Sequence, residues 1–357
     1  MQTSIEDIYR TLVELADQGR AFVLAVVLGA DGSTPCKAGS KAIVDAEGVI
    51  QGTIGGGLVE AETQRRAAET IRIGRPIVLD FNLEDGAVGG ARPICGGAMR
   101  VLMDPTAARH RAAYDAASAL RLGRRRGVLL TTVRGRKRPQ VAVECLAAQA
   151  IAPELGFPGA EAARSVLEHE EPRLFVSEST PGEERLEVFV EPLMPRPTLL
   201  IVGGGHVGQA VAAQAALVGF DIVVIDDRPE FTRPELFPRG ATAYCGSIGE
   251  EVARFPIEAD TYVVIVTRGH QHDADALAAC LHQPAAYVGM IGSRRKVAMM
   301  RQDLVASGRA APAEFDHVYA PIGLDIGSVT VPEIAACIVA QLIAVRRKGA
   351  APRISTR

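Results

Sequence analysis

A glycine-rich turn at residues 203–208 has the composition of a phosphate-binding loop. The apolar run 199–202 leads into it and places Gly203, Gly205 and Gly208 in a G-x-G-x-x-G spacing. In such a loop the first glycine permits a tight turn, and the second lets a phosphate approach the backbone. The third lets the following helix pack closely on the strand. This pattern predicts a dinucleotide site.

The residues around this turn extend the pattern. The helix that follows begins at His206, and its free N–H groups would attract an anion. Asp226 follows the next predicted strand, 23 residues after Gly203, where an acidic side chain binds the ribose hydroxyls of a dinucleotide. Asp227 and Arg228 leave room for a 2′-phosphate, so both NAD and NADP remain open. A Rossmann domain that serves only as a scaffold is the alternative.

One cysteine lies next to two glycines, in the order Cys95-Gly96-Gly97. The glycines would leave the sulfur exposed and let a ligand come close. Nearby backbone N–H groups would favour the thiolate, which is the form that binds a metal or carries sulfur. On these residues alone, a small side chain in a tight turn is the simpler explanation.

A second glycine run, Gly55-Gly56-Gly57, leads into a predicted helix. The start of a helix is a ready site for a phosphate or a carboxylate. A turn that needs positive φ at two or three positions explains the same residues equally well.

Polar residues also follow two later strands of the C-terminal half. His270 and Asp273 come after a strand that ends at Val266, and the segment 293–296 comes after another. In a doubly wound sheet this is the edge where ligands bind, so His270 and Asp273 are candidates to contact a substrate or, less favourably, a metal. Simple helix capping is the alternative for Asp273, and a solvated helix start is the alternative for 293–296.

The elements that must position these residues differ between the two halves. Beyond residue 197 strands and helices alternate, which predicts an α/β fold with a doubly wound parallel sheet. The strands fit 198–202, 221–225, 241–244, 261–266, 286–291 and 317–320, and the helices fit 206–218, 272–282, 294–307 and 331–347.

The pattern of the N-terminal half predicts an α+β domain. Its predicted strands are 21–28, 41–45, 49–52, 77–81, 98–103, 128–133, 140–146, 174–178 and 186–190, with helices before residue 19, over 58–73 and over 107–122. Pro192, Pro195 and Pro197 mark a linker. We therefore expect an N-terminal domain at 1–192, a Rossmann domain at 193–348 and a flexible tail at 349–357.

Composition excludes several classes of protein. Aromatic residues make up 4% and the formal net charge is −3, which argues against a nucleic-acid partner. We see no signal peptide, and the apolar run 334–345 is too short to cross a membrane. Six cysteines without CxxC spacing argue against a zinc scaffold, so a cytoplasmic protein is the expectation.

Taken in order, these motifs resemble the xanthine dehydrogenase accessory factor family (XdhC/CoxI). The resemblance covers most of the chain, although 107–192 adds little. It rests on Gly32-Ser33-Thr34-Pro35 with Gly39, Gly52 to Gly57 with Glu60, Cys95 to Gly97, Gly203 to Gly208, Asp226, Thr267 to Asp273, Gly289 to Arg294 and Pro321 to Gly327.

The resemblance implies a cytoplasmic, often dimeric factor that binds the molybdenum cofactor (molybdopterin). It implies that the factor protects or receives the sulfurated form and passes it to the large subunit of a molybdenum hydroxylase. A cysteine desulfurase is the implied sulfur donor. Carried onto this chain, Cys95 becomes the candidate contact to the metal or sulfur. We add Gly55 to Gly57 as a candidate cradle for the pterin phosphate.

One position departs from the family pattern, and three functions remain open. Cys36 stands where such proteins commonly have a basic residue, which also raises the idea that Cys36 and Cys95 cooperate. The first function is a maturation chaperone with no independent turnover. The second is an NAD(P)-dependent oxidoreductase that uses His270 or Asp273 for proton transfer. The third is a nucleotide-sensing regulatory protein.

Overall fold

The structure is a computed structural model that describes residues 8–83, 97–177 and 185–350. The chain divides into two compact units, Met1–Pro195 and Arg196–Arg357. Expectations for Cys95, for Gly96 and for residues 351–357 of the tail fall outside the described residues.

The first unit contains a five-stranded antiparallel sheet with the strand order β3-β2-β1-β5-β4. Its strands are β1 (Phe22–Gly32), β2 (Lys41–Asp45), β3 (Ile50–Gly52), β4 (Ile77–Asn82) and β5 (Gly97–Asp104).

Residues 22–28 of β1 form a continuous apolar run because this strand is covered on both faces. One set of alternate side chains packs against α1 (Ile8–Asp17) and α3 (Arg111–Leu122), and the other packs against α2 (Gly57–Ile73).

A second antiparallel sheet of the same unit has four strands in the order β7-β6-β9-β8. They are β6 (Gly127–Arg134), β7 (Gln140–Ala147), β8 (Arg173–Val176) and β9 (Leu186–Leu193). Helix α4 (Ala160–His169) covers one face of this sheet. The other face shares a core with α1, α3 and β1.

Two buried carboxylates on β9 join this sheet to the first one. Glu187 and Glu191 lie on the same face of β9 because side chains alternate along a strand. Glu187 pairs with Arg100 of β5 at 2.9 Å, and Glu191 pairs with Lys41 of β2. Phe189, which lies between the two carboxylates on β9, is buried in the shared core.

The second unit is built on a six-stranded parallel sheet with the order β12-β11-β10-β13-β14-β15. Following the chain, strands β10 to β12 are added one after another on one side of the sheet, and strands β13 to β15 are then added on the other side of β10. Ligands bind at the carboxyl ends of the strands where the order reverses. The strands are β10 (Thr198–Val202), β11 (Asp221–Asp226), β12 (Thr242–Cys245), β13 (Thr261–Ile265), β14 (Tyr287–Met290) and β15 (Val318–Tyr319).

Helices cover both faces of this sheet, as the α/β prediction requires. α5 (His206–Leu217) and α9 (Val331–Lys348) share one apolar core. α6 (Ile248–Arg254), α7 (His270–Cys280) and α8 (Arg294–Ala306) share the other. The predicted fold class, an N-terminal α+β region followed by a Rossmann domain, is therefore confirmed.

Helix α9 carries one buried polar side chain, Gln341, within its apolar face. Its amide oxygen accepts hydrogen bonds from the Gly323 N–H at 2.9 Å and from the Tyr287 hydroxyl at 2.6 Å. Its amide nitrogen donates to the Gly323 carbonyl at 3.2 Å. Across the described residues, no helix is long and apolar enough to span a bilayer.

The structure corrects three details of the sequence analysis. Helices α4 and α6 are not predicted, although Ala160, Ala163 and Leu167 of α4 are buried at helical spacing. Helix α6 has only seven residues, which is too short to show a period. Pro192 is predicted in the linker but lies in β9 opposite Val128. Strand β8 reaches only to the residue opposite Val190, so Pro192 lies where one edge of β9 is free.

Candidate functional site

Two candidate sites exist, one in each unit. In the first unit, antiparallel pairing gathers glycine segments that are far apart in the sequence. β1 pairs with β5 so that Gly32 lies opposite Gly97. A Cβ atom at Gly97 would lie 2.6 Å from the Asp31 carbonyl oxygen and 2.8 Å from the Ser33 carbonyl oxygen. Only glycine fits such a close approach of two backbones.

The loop before β2 also touches the loop after β3. These two strands pair with Ala42 opposite Gly52, which brings their ends together. A Cβ atom at Gly55 would lie 2.8 Å from the Pro35 ring. The segments 33–40 and 53–57 and the start of β5 therefore lie together at one end of the first sheet.

The glycine run Gly55 to Gly57 already holds a carboxylate of the protein. Gly55, Gly56 and Gly57 have φ values of 106°, 71° and 57°, as a turn with positive φ requires. Glu60 accepts hydrogen bonds from the Thr53 hydroxyl at 2.6 Å and from the Ile54 N–H at 3.1 Å.

The electrostatics of the turn favour this negative charge. Burial alone would raise the pKa of Glu60, but hydrogen bonds from Thr53, Gly56 and Ile54 outweigh it and lower the pKa. The turn stabilises an anion, and Glu60 is that anion in this structure.

Cys36 is half-buried beside this turn and has the properties of a protonated thiol. Burial raises the pKa of Cys36, a hydrogen bond with Ser40 partly offsets the effect, and the nearby charge of Glu60 raises it further. A thiolate is therefore disfavoured at Cys36.

Lys41 ties both loops to the core. Its ammonium group donates to the Gly39 carbonyl at 3.1 Å and pairs with Glu191, and both charged side chains are below 10% exposed. Its own carbonyl oxygen accepts from the Thr53 N–H at 3.0 Å. A single residue thus positions the ends of the segments 33–40 and 53–57.

In the second unit, the glycine loop has the close contacts that its spacing predicts. Gly203 has a φ of 114°, and a Cβ atom there would lie 2.6 Å from the carbonyl oxygen of Val266, the residue after β13. A Cβ atom at Gly208 would lie 2.0 Å from the Gly203 carbonyl oxygen, so α5 packs directly on the loop. A Cβ atom at Gly205 would meet nothing within 4 Å. His206 is exposed at the start of α5.

The acid of the fingerprint, Asp226, is buried and bound by the protein itself. It accepts from the Gly204 N–H at 2.7 Å and from the Arg228 N–H at 3.0 Å. The Arg228 side chain adds two further hydrogen bonds, from Nε at 2.9 Å and from Nη2 at 3.0 Å. Burial alone would raise the pKa of Asp226, but these bonds lower it, so the group is a carboxylate.

Asp273 connects the loop after β13 with the start of α8, at the carboxyl ends of the strands. It is fully buried and accepts from the Thr267 hydroxyl at 2.5 Å and from the Lys296 ammonium group. Lys296 belongs to the basic segment after β14, so this cation is already paired with a carboxylate of the protein. Contact of Asp273 with a substrate stays a prediction that these bonds do not favour.

Two arginines and a histidine also surround Asp227 at this edge. Arg228 Nε, Arg268 Nη2 and His272 Nε2 each lie 3.8 Å from one of its oxygens. These distances are too long for direct hydrogen bonds. The described part of the chain contains no group of three or more His, Cys, Asp or Glu side chains that could hold a metal. The side chain of His270 lies outside the description.

Several of these roles escape sequence reasoning. Lys41 is not singled out by the sequence. Glu60, Arg228 and Lys296 lie in segments that the sequence analysis singles out, but their pairing with groups of the protein depends on side-chain direction. For Arg228, the signal of its pairing is its position two residues after a strand-end acid.

Comparisons with protein families match both units. Residues 199–342 match the model of the XdhC Rossmann domain, and residues 15–82 match the model of the XdhC and CoxI family.

Curated relatives and a solved structure are also similar. The chain is 26% identical over 341 residues to uncharacterized protein YqeB of Escherichia coli (strain K12). This match covers 95% of this chain and 46% of that protein. It is 31% identical over 169 residues to a protein of Bacillus subtilis (strain 168) described as a probable xanthine dehydrogenase subunit. That match covers 46% of this chain and 48% of the relative. The chain thus spans about half the length of these relatives.

A crystal structure described as a xanthine dehydrogenase from Bacillus halodurans superposes with a TM-score of 0.74. The match has 24% identity and covers 98% of both chains. At this identity the likeness shows the fold alone.

Proposed function

Because the chain belongs to the XdhC family, we propose that it is an accessory factor for a xanthine dehydrogenase-type molybdenum hydroxylase. It binds the molybdenum cofactor as cargo, protects the sulfurated form and delivers it to the large subunit of the hydroxylase. It has no turnover of its own. A cysteine desulfurase supplies the sulfur, and the factor works as a homodimer.

One observation carries this proposal: the three segments of the first unit that resemble the family lie together. Gly97 lies against the Ser33 carbonyl and Gly55 lies against Pro35. Cys95, two residues before Gly97, is the proposed contact to the metal or its sulfur. The thiol that the structure describes beside these loops, Cys36, is less suited to bind a metal because its pKa is raised.

The proposed cradle for the pterin phosphate is the turn Gly55 to Gly57. Its support is that the turn stabilises an oxyanion, the Glu60 carboxylate. A phosphate in the same place must displace Glu60 or use the N–H groups of the first turn of α2, which have no acceptor within the helix. Glu60 therefore opposes binding until it moves, since like charges repel.

The main experiment measures cargo on the purified full-length protein. After incubation with molybdenum cofactor and gel filtration, we expect bound molybdenum by elemental analysis and bound pterin by fluorescence after oxidation. The variant Cys95→Ser should lose both. The control Cys245→Ser, at an exposed cysteine of the second unit, should keep both. Absence of pterin from the wild type, or its retention by Cys95→Ser, would contradict the proposal.

Partner binding is tested separately. The cysteine desulfurase and the large hydroxylase subunit should each co-elute with the protein, and light scattering should give the mass of a dimer. A hydroxylase reconstituted without this factor should remain desulfurated.

We propose in addition that the second unit binds a nicotinamide nucleotide at its glycine loop. The open space at Gly205 and the N-terminus of α5 suit a pyrophosphate. An oxidoreductase that uses Asp273 as its base is not favoured, because both oxygens of this carboxylate are already bonded.

A further inference from the structure

The nucleotide site of the second unit departs from an NAD site at the ribose. An NAD site needs a free carboxylate at the end of β11, because the ribose 2′-hydroxyl donates a hydrogen bond to it. A carboxylate offers about four acceptor positions. Asp226 receives four hydrogen bonds, all from Gly204 and Arg228, and its side chain is only 2% exposed. A ribose diol therefore finds no acceptor on Asp226.

Arg228 is held in place and keeps unused donors. Its guanidinium lies 3.8 Å from the centroid of the Phe231 ring, which fixes its plane. A guanidinium has five N–H donors. Asp226 takes one from Nε and one from Nη2, so three remain, and the side chain is 18% exposed. The group that meets the ribose is thus a donor instead of an acceptor.

The neighbouring charges favour an added anion. The guanidinium groups of Arg228 and Arg268 lie 3.8 Å from Asp227, near enough to attract it but too far for hydrogen bonds. The His272 ring lies at the same distance. A phosphate group of a ligand could replace Asp227 beside the guanidinium groups of Arg228 and Arg268 and make the short bonds that Asp227 does not make.

We propose that the second unit selects NADP(H) over NAD(H), and that Arg228 determines this specificity. A 2′-phosphate presents only acceptors and matches the free donors of Arg228. A ribose 2′-hydroxyl must donate and meets an acceptor that is already saturated. Asp226 anchors Arg228 and does not bind the ribose. This inference rests on the proposal that the second unit binds a nicotinamide nucleotide.

The experiment measures dissociation constants for NADPH and NADH by calorimetry on the full chain. The wild type should bind NADPH at least tenfold more tightly than NADH. Arg228→Ala removes the donors and frees Asp226, so the preference should reverse and NADH should bind more tightly than it does to the wild type. Arg228→Lys keeps the positive charge and serves as a second test in case Arg228→Ala does not fold. It should retain a reduced preference for NADPH.

Two control variants separate this role from general charge effects. Arg233→Ala removes an exposed arginine from the same loop and should leave the NADPH-to-NADH ratio within twofold of the wild type. Asp227→Asn should strengthen NADPH binding, because it removes a competing anion. A loss of NADH binding in Asp227→Asn would instead identify Asp227 as the ribose acceptor and overturn the inference.

The outcomes distinguish the two proposals. If neither nucleotide binds, nucleotide binding and the selectivity both fail. If both bind with equal affinity, or if Arg228→Ala leaves the ratio unchanged, nucleotide binding stands and the selectivity fails.

Discussion

Replacing Lys41 with Met should strongly destabilise the first unit. Lys41 and Glu191 are 7% and 6% exposed, so the substitution leaves a buried carboxylate without its cation. Loss of one partner of a buried ion pair typically costs about 3–5 kcal/mol. That is a large part of the roughly 5–15 kcal/mol by which a domain is stable. For a unit of this size, the melting temperature should fall by about 6–20 °C.

The loss should also depend on pH. Burial raises the pKa of Glu191 above its usual value of 4.5, and Lys41 only partly offsets this. A carboxyl with a raised pKa in the folded state binds more protons when folded. Its contribution to stability is therefore full below pH 4.5 and is lost as the pH rises through the folded value. Without Lys41 the pKa rises further, so the deficit of Lys41→Met should be smaller at about pH 5 than at about pH 8.

Differential scanning calorimetry of the full chain at both pH values tests this. The matched control is Arg10→Met, because Arg10 and Glu14 form an exposed pair at 3.0 Å whose loss should cost less than about 0.5 kcal/mol. The double variant Lys41→Met with Glu191→Leu should regain most of the lost stability. The reasoning is refuted if Lys41→Met costs under about 1 kcal/mol, or if the double variant is no more stable than the single one.

Three further predictions, two of them with a matched control substitution, have distinct expected outcomes. Gly208→Ala should lower the free energy of chemical unfolding by about 1–3 kcal/mol because its Cβ would overlap a carbonyl. Gly205→Ala, where the Cβ meets open space, should change this free energy by less than about 0.5 kcal/mol and weaken only nucleotide binding. Glu60→Gln should strengthen binding of inorganic phosphate in phosphorus NMR titrations; unchanged binding would argue against the cradle. Lys296→Met should lower the melting temperature by several degrees, since it leaves a buried carboxylate unpaired, while Arg295→Met, at an exposed neighbour, should not.

The architecture of the second unit is predictable because its strands are covered on both faces. Such strands form continuous apolar runs followed by polar or glycine residues, as β10 and β13 do. The residues of β10 coincide with the predicted strand. The glycine spacing at 203–208 then determines where the loop must turn, because only glycine tolerates the contacts at Gly203 and Gly208.

The pairing of charges within the sites is not predictable from spacing. The fingerprint predicts a free acceptor at Asp226, but the Arg228 side chain folds back onto it. Nothing in the sequence distinguishes this conformation from one in which Arg228 points into solvent. The approach of Gly97 to Ser33 likewise depends on the register between β1 and β5. Long-range register follows from the whole packing pattern.

Gln341 gives the last helix a single way to dock. Apolar residues also flank the buried face of α9, so the apolar pattern alone specifies its rotation about the helix axis less sharply than a polar contact does. A rotation by one residue, however, would move the amide by about 100°. It would leave the Gly323 backbone and the Tyr287 hydroxyl without their hydrogen-bond partners. The polar residue that interrupts the apolar run therefore specifies how the helix docks. A leucine at this position would make the helix more hydrophobic but its orientation on the sheet ambiguous.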